Sequence, residues 1–265
     1  DAKVGQILSD LERRGLVDNT LVIFTTDHGM PFARAKHTLF DPGLKIAFVA
    51  RWPGLIQGGQ VSGELLSNLD FMPTLLDLVG LRDKMPPMQN HGSSFAGLLV
   101  DREHEQYAEW SPREEIFAEH TYGVMYSPSR GIRTDRYKYI VNFEPRNPIM
   151  HEPFVVHRCG EEKVNEWFSA PVPPEELYDL LEDPTEFMNL ANSPCHGAIR
   201  RELRNRLFAF MESSDDILLE GPVPDPSGDH TQGQTIPGEW RVDDRGLYHS
   251  DLPPVWQRDK FKSRS

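Results

Sequence analysis

The sequence predicts an α/β domain followed by a small antiparallel α+β subdomain. Two short apolar runs, at residues 21–26 and 46–50, lie among helical patterns near the start of the chain. Nearly continuous apolar runs of this length are typical of strands buried on both faces. Helices that alternate with such strands favour a sheet with parallel strands, whereas the later part of the chain shows consecutive strand-like pieces before one helix.

The helices of the first part follow from spacing. Apolar side chains recur at helical intervals between residues 4 and 11, and Gly15 suits the C-terminal end of that helix. Residues 70–78 repeat the pattern, with Gly80 after them. Residues 82–92 are rich in proline and polar residues, which predicts a loop.

The second part begins near residue 115. Strand-like pieces at residues 116–118, 129–133 and 137–141 are joined by turns, and Asp135-Arg136 suits a hairpin. An apolar stripe along residues 199–211 then predicts an amphipathic helix.

The predicted division of the chain has three parts. Residues 1–114 belong to the α/β domain, residues 115–220 form the subdomain, and residues 221–265 form an extended tail rich in proline and glycine. The chain opens at Asp1 inside a helical pattern, which we interpret as a cut end.

Composition excludes some functions. The 28 basic and 41 acidic side chains give a formal charge of −13, which disfavours nucleic acid as a partner. No apolar run is long enough to span a bilayer. Cys159 and Cys195 cannot form a disulfide framework, and either one bridge or two thiols fits the sequence.

The sharpest chemical feature is Asp27-His28-Gly29, directly after the first predicted strand. In open α/β sheets, ligands bind beyond the carboxyl ends of the strands. A carboxylate there suits a hard divalent cation, and the neighbouring imidazole could be a second ligand or bind an anion. Gly29 would let the backbone turn sharply away. The same tripeptide also occurs as a simple capped turn.

Lys36 is the second candidate residue. It follows Asp27 through a loop that contains Pro31 and Arg34. A lysine near a bound anion offers a compact positive charge to a sulfate or phosphate oxygen. A solvated loop lysine is the alternative.

Further motifs follow in order along the chain. They are Pro42-Gly43, residues 51–54, residues 68–76 with Gly80, residues 92–94, residues 130–133 with 137–139, residues 176–180, Asp183-Pro184, Glu186 and residues 189–191. Together with the strand that precedes residues 27–29 and with Lys36, these motifs resemble the sulfatase family over roughly residues 1–212. Within that family, Met30-Pro31-Phe32 with residues 143–154 is most similar to the branch that contains heparan N-sulfatase.

The resemblance implies a fold and a mechanism. The fold is the alkaline-phosphatase-like sulfatase sheet, incomplete in this chain. A formylglycine nucleophile attacks sulfur while one calcium ion and basic residues neutralise the sulfate. Asp27 and His28 match metal ligands, Lys36 matches the catalytic basic residue on the sulfate, and His120 falls where the family often has a substrate-binding histidine.

The nucleophile motif, Cys/Ser-x-Pro/Ala-x-Arg, has no match in this chain. Cys195 is followed by His-Gly-Ala-Ile-Arg, and Ser127-Pro128-Ser129-Arg130 has its proline and arginine one position early. The nucleophile and the family's early aspartate ligands are therefore expected upstream of Asp1. We expect the chain alone to be inactive and, because its sheet lacks strands, poorly soluble.

Two other functions stay open. A phosphatase or phosphodiesterase of the alkaline phosphatase superfamily would share the sheet, and a non-catalytic carbohydrate-binding remnant would lack the nucleophile altogether. The resemblance to sulfatases implies that the substrate is a sulfated small molecule or a sulfated glycan. It also implies a periplasmic, secreted or lysosomal compartment. The sequence does not define the oligomeric state.

Overall fold

The computed structural model describes residues 1–84, 92–100, 107, 110–123, 126–144, 160, 162–163, 172–221, 223, 241–242 and 248–249. The helices are α1 (Ala2–Arg13), α2 (Asp41–Leu44), α3 (Phe71–Leu78), α4 (Ala96–Leu99) and α5 (Gly197–Ser213). The strands are β1 (Val22–Thr25), β2 (Phe48–Arg51), β3 (Glu115–Tyr122), β4 (Tyr126–Thr134), β5 (Tyr137–Asn142), β6 (Glu175–Asp179), β7 (Arg241–Val242) and β8 (Tyr248–His249).

The chain divides into two compact units. The first comprises Asp1–Asp27 and Ile46–Glu114, and the second comprises His28–Lys45 and Glu115–Ser265. Residues 28–45 therefore group with the C-terminal sheet, whereas the sequence-based division placed them in the first domain. Sequence patterns do not reveal this grouping, because it depends on long-range contacts of Asp41 described below.

In the first unit, α1 ends where Gly15 adopts a φ of 65°, as predicted. β1 and β2 pair antiparallel, so the parallel arrangement expected for these two strands is wrong. Burial on both faces is also wrong, since Phe24 of β1 is 50% exposed. Apolar character alone encodes neither strand direction nor the presence of a covering layer.

Several large apolar side chains of this unit are exposed. They are Ile7, Phe24, Val49, Leu69, Met72 and Val79. Exposed apolar surface favours association between molecules, and the poor solubility of this chain stays a prediction.

A buried carboxylate explains the motif around α3. Asp70 is 1% exposed and accepts hydrogen bonds from the backbone N–H groups of Ser67 at 2.9 Å and Ser93 at 2.8 Å. Arg113 forms an ion pair with the same carboxylate. These bonds satisfy the buried carboxylate of Asp70. They also join the start of α3 to residues 92–94.

The second unit contains a four-stranded antiparallel sheet of order β3-β4-β5-β6. The predicted hairpin at Asp135-Arg136 is confirmed, and so is the long helix, α5. β6 was not predicted as a strand. One face of the sheet packs on α5 through a core of Ile132, Tyr139, Val141, Phe143, Leu177, Ala191, Leu203, Leu207, Phe208 and Met211.

Residues 28–45 cover the opposite face of this sheet. Leu39 and Phe40 pack with Ile140 and Tyr178. Gly131 of β4 makes room for this packing, because a Cβ there would lie 3.2 Å from Cδ1 of Leu39.

The C-terminal part of the chain is described only in short pieces. β7 and β8 form an antiparallel pair. Most of the predicted tail lies outside the described residues, and so does Cys159, which precedes the tail in sequence. Among the described residues, Cys195 is a free and exposed thiol. None of the described helices combines the length and apolar character that a membrane span requires.

Two glycines close a loop, residues 29–43, here called the 29–43 loop. The N–H of Gly29 donates to the carbonyl of Gly43 at 2.9 Å. A Cβ at Gly29 would lie 1.8 Å from the carbonyl oxygen of Pro42, and a Cβ at Gly43 would lie 2.2 Å from that of Ala35. Both glycines are therefore required by close backbone approach, which is a different reason from the sharp turn predicted for Gly29.

Replacing Gly29 by alanine is expected to destabilise the second unit by about 3 kcal/mol, the upper range for overpacking, because the clash is with backbone. Gly5→Ala is the control, since a Cβ at that helical position meets nothing within 4 Å. Thermal unfolding of both variants checks this. Equal melting temperatures would contradict the close-approach argument.

Candidate functional site

Asp27 and His28 are adjacent in sequence and lie on either side of the boundary between the two units. Asp27 follows β1 and is exposed. His28 is also exposed, and its Nδ1 lies 2.8 Å from the carbonyl oxygen of Gly29. A carbonyl only accepts, so Nδ1 donates, and in the neutral ring the lone pair lies on Nε2. Within the described ranges, no group of three or more His, Cys, Asp or Glu side chains is arranged to hold a metal ion.

Lys36 is half-buried within the 29–43 loop. Its backbone N–H donates to the carbonyl of Met30 at 3.1 Å, which folds the loop back on itself. Arg34 and His37, on either side of Lys36, have φ values of 56° and 70°. Positive φ is uncommon for residues other than glycine, and such conformations persist only where the surroundings hold them.

The structure brings His120 of β3 next to the 29–43 loop. The rings of His37 and His120 meet edge to face, with their centroids 6.0 Å apart. Both residues belong to the second unit. The predicted substrate-binding histidine therefore lies close to the immediate neighbour of Lys36.

The hydrogen bonding of His120 defines its chemistry. Nδ1 lies 3.0 Å from the carbonyl of Ser127, so Nδ1 carries the proton. Nε2 is buried and has no hydrogen-bond partner in the described part of the chain. Burial lowers the pKa of His120, and the charges of His37 and Arg130 lower it further. The neutral ring therefore presents Nε2 as an acceptor.

Asp41 connects the 29–43 loop to the sheet. Its carboxylate accepts from Nε and Nη2 of Arg133, each at 3.2 Å, and from Nζ of Lys138 at 2.6 Å. Burial alone would raise the pKa of Asp41, but the hydrogen bonds and charges of these two cations outweigh it and lower the pKa to about 2.

The stabilising effect of Asp41 should depend on pH. The folded pKa of about 2 lies below the ordinary value of 3.8, so the contribution is complete above pH 3.8 and is lost as the pH falls through 2. Its size is about 2 kcal/mol. Urea unfolding of Asp41→Asn and the wild type should show a difference that shrinks as the pH falls through this window. A difference that stays constant would contradict the ion-pair assignment.

Sequence reasoning missed His37, Asp41, Lys138 and Glu186. For His37 one signal existed in the sequence, its position directly after Lys36. Lys138 gave no signal, since a lysine in an alternating strand normally faces solvent. The contacts of Asp41 and Glu186 join residues that are far apart in sequence.

The comparisons with known proteins identify the family of this chain. A family model described as N-sulphoglucosamine sulphohydrolase, C-terminal, matches residues 28–150. An ulvan-active sulfatase from Formosa agariphila is 35% identical over 233 residues, which cover 80% of this chain and 42% of that protein. Arylsulfatase A from Homo sapiens is 31% identical over 204 residues, covering 72% and 37% respectively.

A solved 2-O GAG sulfatase superimposes with a TM-score of 0.53 at 26% identity, covering 75% of this chain and 37% of that protein. The chain thus spans less than half the length of each of these relatives. The protein is a member of the sulfatase family. The predicted fold class, part of an alkaline-phosphatase-like α/β fold with an antiparallel C-terminal subdomain, is confirmed.

Proposed function

We propose that this chain is the C-terminal part of a sulfuric ester or sulfamate hydrolase that uses a formylglycine nucleophile and one calcium ion. The observation that carries the proposal is the packing of the 29–43 loop, which contains Lys36, against the sheet face that bears His120. The family model spans this loop together with β3, β4 and β5 of the sheet.

Each residue has a distinct role in the proposal. Lys36 donates to a sulfate oxygen and stabilises the negative charge of the transition state. His120 is the proposed substrate-binding residue. Its neutral ring offers Nε2 as an acceptor, which suits a hydroxyl or N–H group of the substrate and not a sulfate oxygen, and this nitrogen is buried in the chain alone. The substrate is a sulfated glycan or a sulfated small molecule, in keeping with the names of the relatives.

The proposed metal ligands in this chain are Asp27 and His28. The exposed carboxylate of Asp27 at a strand end fits a hard cation. Calcium takes six to eight oxygen ligands, so the carboxylate supplies only part of them and the imidazole of His28 would add a nitrogen. The proposal therefore assigns the remaining ligands, with the formylglycine, to parts of the full-length protein outside this chain. When bound, calcium would supply charge that neutralises the sulfate.

Replacing Asp27 by asparagine in the full-length protein that contains this chain is expected to lower kcat on 4-nitrophenyl sulfate or a sulfated oligosaccharide by about 100-fold, because it weakens metal-assisted charge stabilisation. Asp18→Asn is the control, an exposed carboxylate of the same unit. Mass spectrometry of the full-length protein checks for formylglycine.

Several outcomes would contradict the proposal. Turnover by this chain alone, abolished by Asp27→Ala, would overturn its inactivity in isolation. Preferred hydrolysis of 4-nitrophenyl phosphate would favour the phosphatase alternative. Absence of any turnover by the full-length protein, with no formylglycine present, would favour the carbohydrate-binding remnant.

A further inference from the structure

A buried lysine lies between two carboxylates from different segments. Nζ of Lys138 in β5 is 2.6 Å from Oδ1 of Asp41 and 2.6 Å from Oε1 of Glu186. The side chains of Lys138 and Glu186 are 1% and 0% exposed. Asp41 belongs to the 29–43 loop, and Glu186 follows β6. A single ammonium group thus joins the sheet, the loop and the turn after β6.

Glu186 holds the loop at two points on either side of Lys36. Its Oε2 accepts the backbone N–H of Asp41 at 2.7 Å, and its backbone carbonyl accepts from the guanidinium of Arg34. The Arg34 guanidinium also lies over the rings of Phe40 at 3.9 Å and Phe187 at 4.4 Å. These contacts place the segment 34–41 in a fixed position on the sheet.

The cluster consists of two cations, Arg133 and Lys138, and two anions, Asp41 and Glu186. Burial raises the pKa of Glu186, although Lys138 opposes the effect. Glu186 also has a φ of 59°. Buried ion pairs are weak contributors to net stability, and their best-attested use is to specify one arrangement. Burying these charges costs free energy, so we attribute the cluster to the geometry that it imposes on the loop rather than to a gain in stability.

We propose that Lys138 and Glu186 are positioning residues that fix the 29–43 loop, and with it Lys36, on the C-terminal sheet. This inference rests on the proposed sulfatase function for its catalytic consequence. A displacement of about 1 Å in a positioning contact can lower catalysis about 100-fold. Loss of the contacts that Lys138 and Glu186 make with the 29–43 loop should therefore reduce kcat, even though neither residue touches the substrate.

The test is Glu186→Gln in the full-length protein, with Glu175→Gln as the matched control. Glu175 lies on the other face of the same sheet, where it pairs with Arg200 at 3.3 Å and Arg204 at 3.8 Å. Hydrogen exchange of peptides from the 29–43 loop and from α5 is measured together with kcat and KM. We expect Glu186→Gln to accelerate exchange in the loop, leave α5 protected and lower kcat about 10- to 100-fold. Glu175→Gln should leave loop exchange and kcat unchanged.

The outcomes separate this inference from the proposed function. Absence of sulfatase turnover in the wild-type full-length protein would contradict the proposed function. Hydrogen exchange of the 29–43 loop would still test whether Lys138 and Glu186 fix the loop. Loop exchange that is unchanged in Glu186→Gln, or faster with kcat unaltered, overturns the inference. If Glu186→Gln also exposes α5, Arg34→Gln replaces it. That variant removes the bond to the Glu186 carbonyl, and it should loosen the loop and lower kcat to a smaller extent.

Discussion

Replacing Lys138 by methionine is expected to lower the free energy of unfolding of the second unit by about 3–5 kcal/mol, the usual cost of removing one partner from a buried ion pair. Methionine fills similar volume, so packing changes little. The loss arises because the buried carboxylate of Glu186 stays without the ammonium group that lies 2.6 Å from it, while the half-buried carboxylate of Asp41 keeps only Arg133. Hydrogen exchange of slowly exchanging β5 amides measures the change within this unit.

Lys45→Met is the control for this prediction. Lys45 is an exposed lysine of the same unit, so its replacement should change stability by less than about 0.5 kcal/mol. Adding Glu186→Gln to Lys138→Met should recover part of the loss, since one unpaired carboxylate is then removed. A loss under about 1 kcal/mol for Lys138→Met would mean that water reaches the carboxylates and the pair is not functionally buried.

Lys36→Met is expected to lower kcat of the full-length protein about 100- to 1000-fold, as removal of one donor to a developing oxyanion does. Its fold should be unaffected, because Lys36 is a half-buried loop residue. The steady-state kcat on a sulfated substrate measures the effect, and thermal unfolding confirms that the variant is folded. Lys45→Met again serves as the control. An unchanged kcat for Lys36→Met would remove Lys36 from the proposed machinery.

Local order in this chain was largely predictable. Gly15 and Gly80, α5 and the hairpin at Asp135-Arg136 follow from periodicity and turn chemistry, which act between residues close in sequence. β6 was missed because residues 175–179 were interpreted only as part of a family signature.

Long-range pairing was not predictable. The antiparallel register of β1 and β2 depends on which strand edges meet, and apolar content is the same in either direction. The burial of Lys138 depends on carboxylates of Asp41 and Glu186 that lie far from it in sequence. Motifs identified the candidate residues, which are Asp27, His28, Lys36 and His120. The proximity of His37 to His120 can be recognised only in the folded chain.

The closure of the 29–43 loop by Gly29 and Gly43 has a consequence for engineering. The two ends of the loop are held together by the backbone hydrogen bond between Gly29 and Gly43 and by the close backbone approach at both glycines. The positions of the loop ends therefore do not depend on the side chains between them. The sequence between the two glycines could therefore be replaced by that of a related loop with the same pair of glycines, without altering the strands on either side. Under the proposed function, a library that varies residues 30–33 while keeping both glycines, Arg34 and Asp41 is expected to change substrate preference while the fold of the loop stays the same.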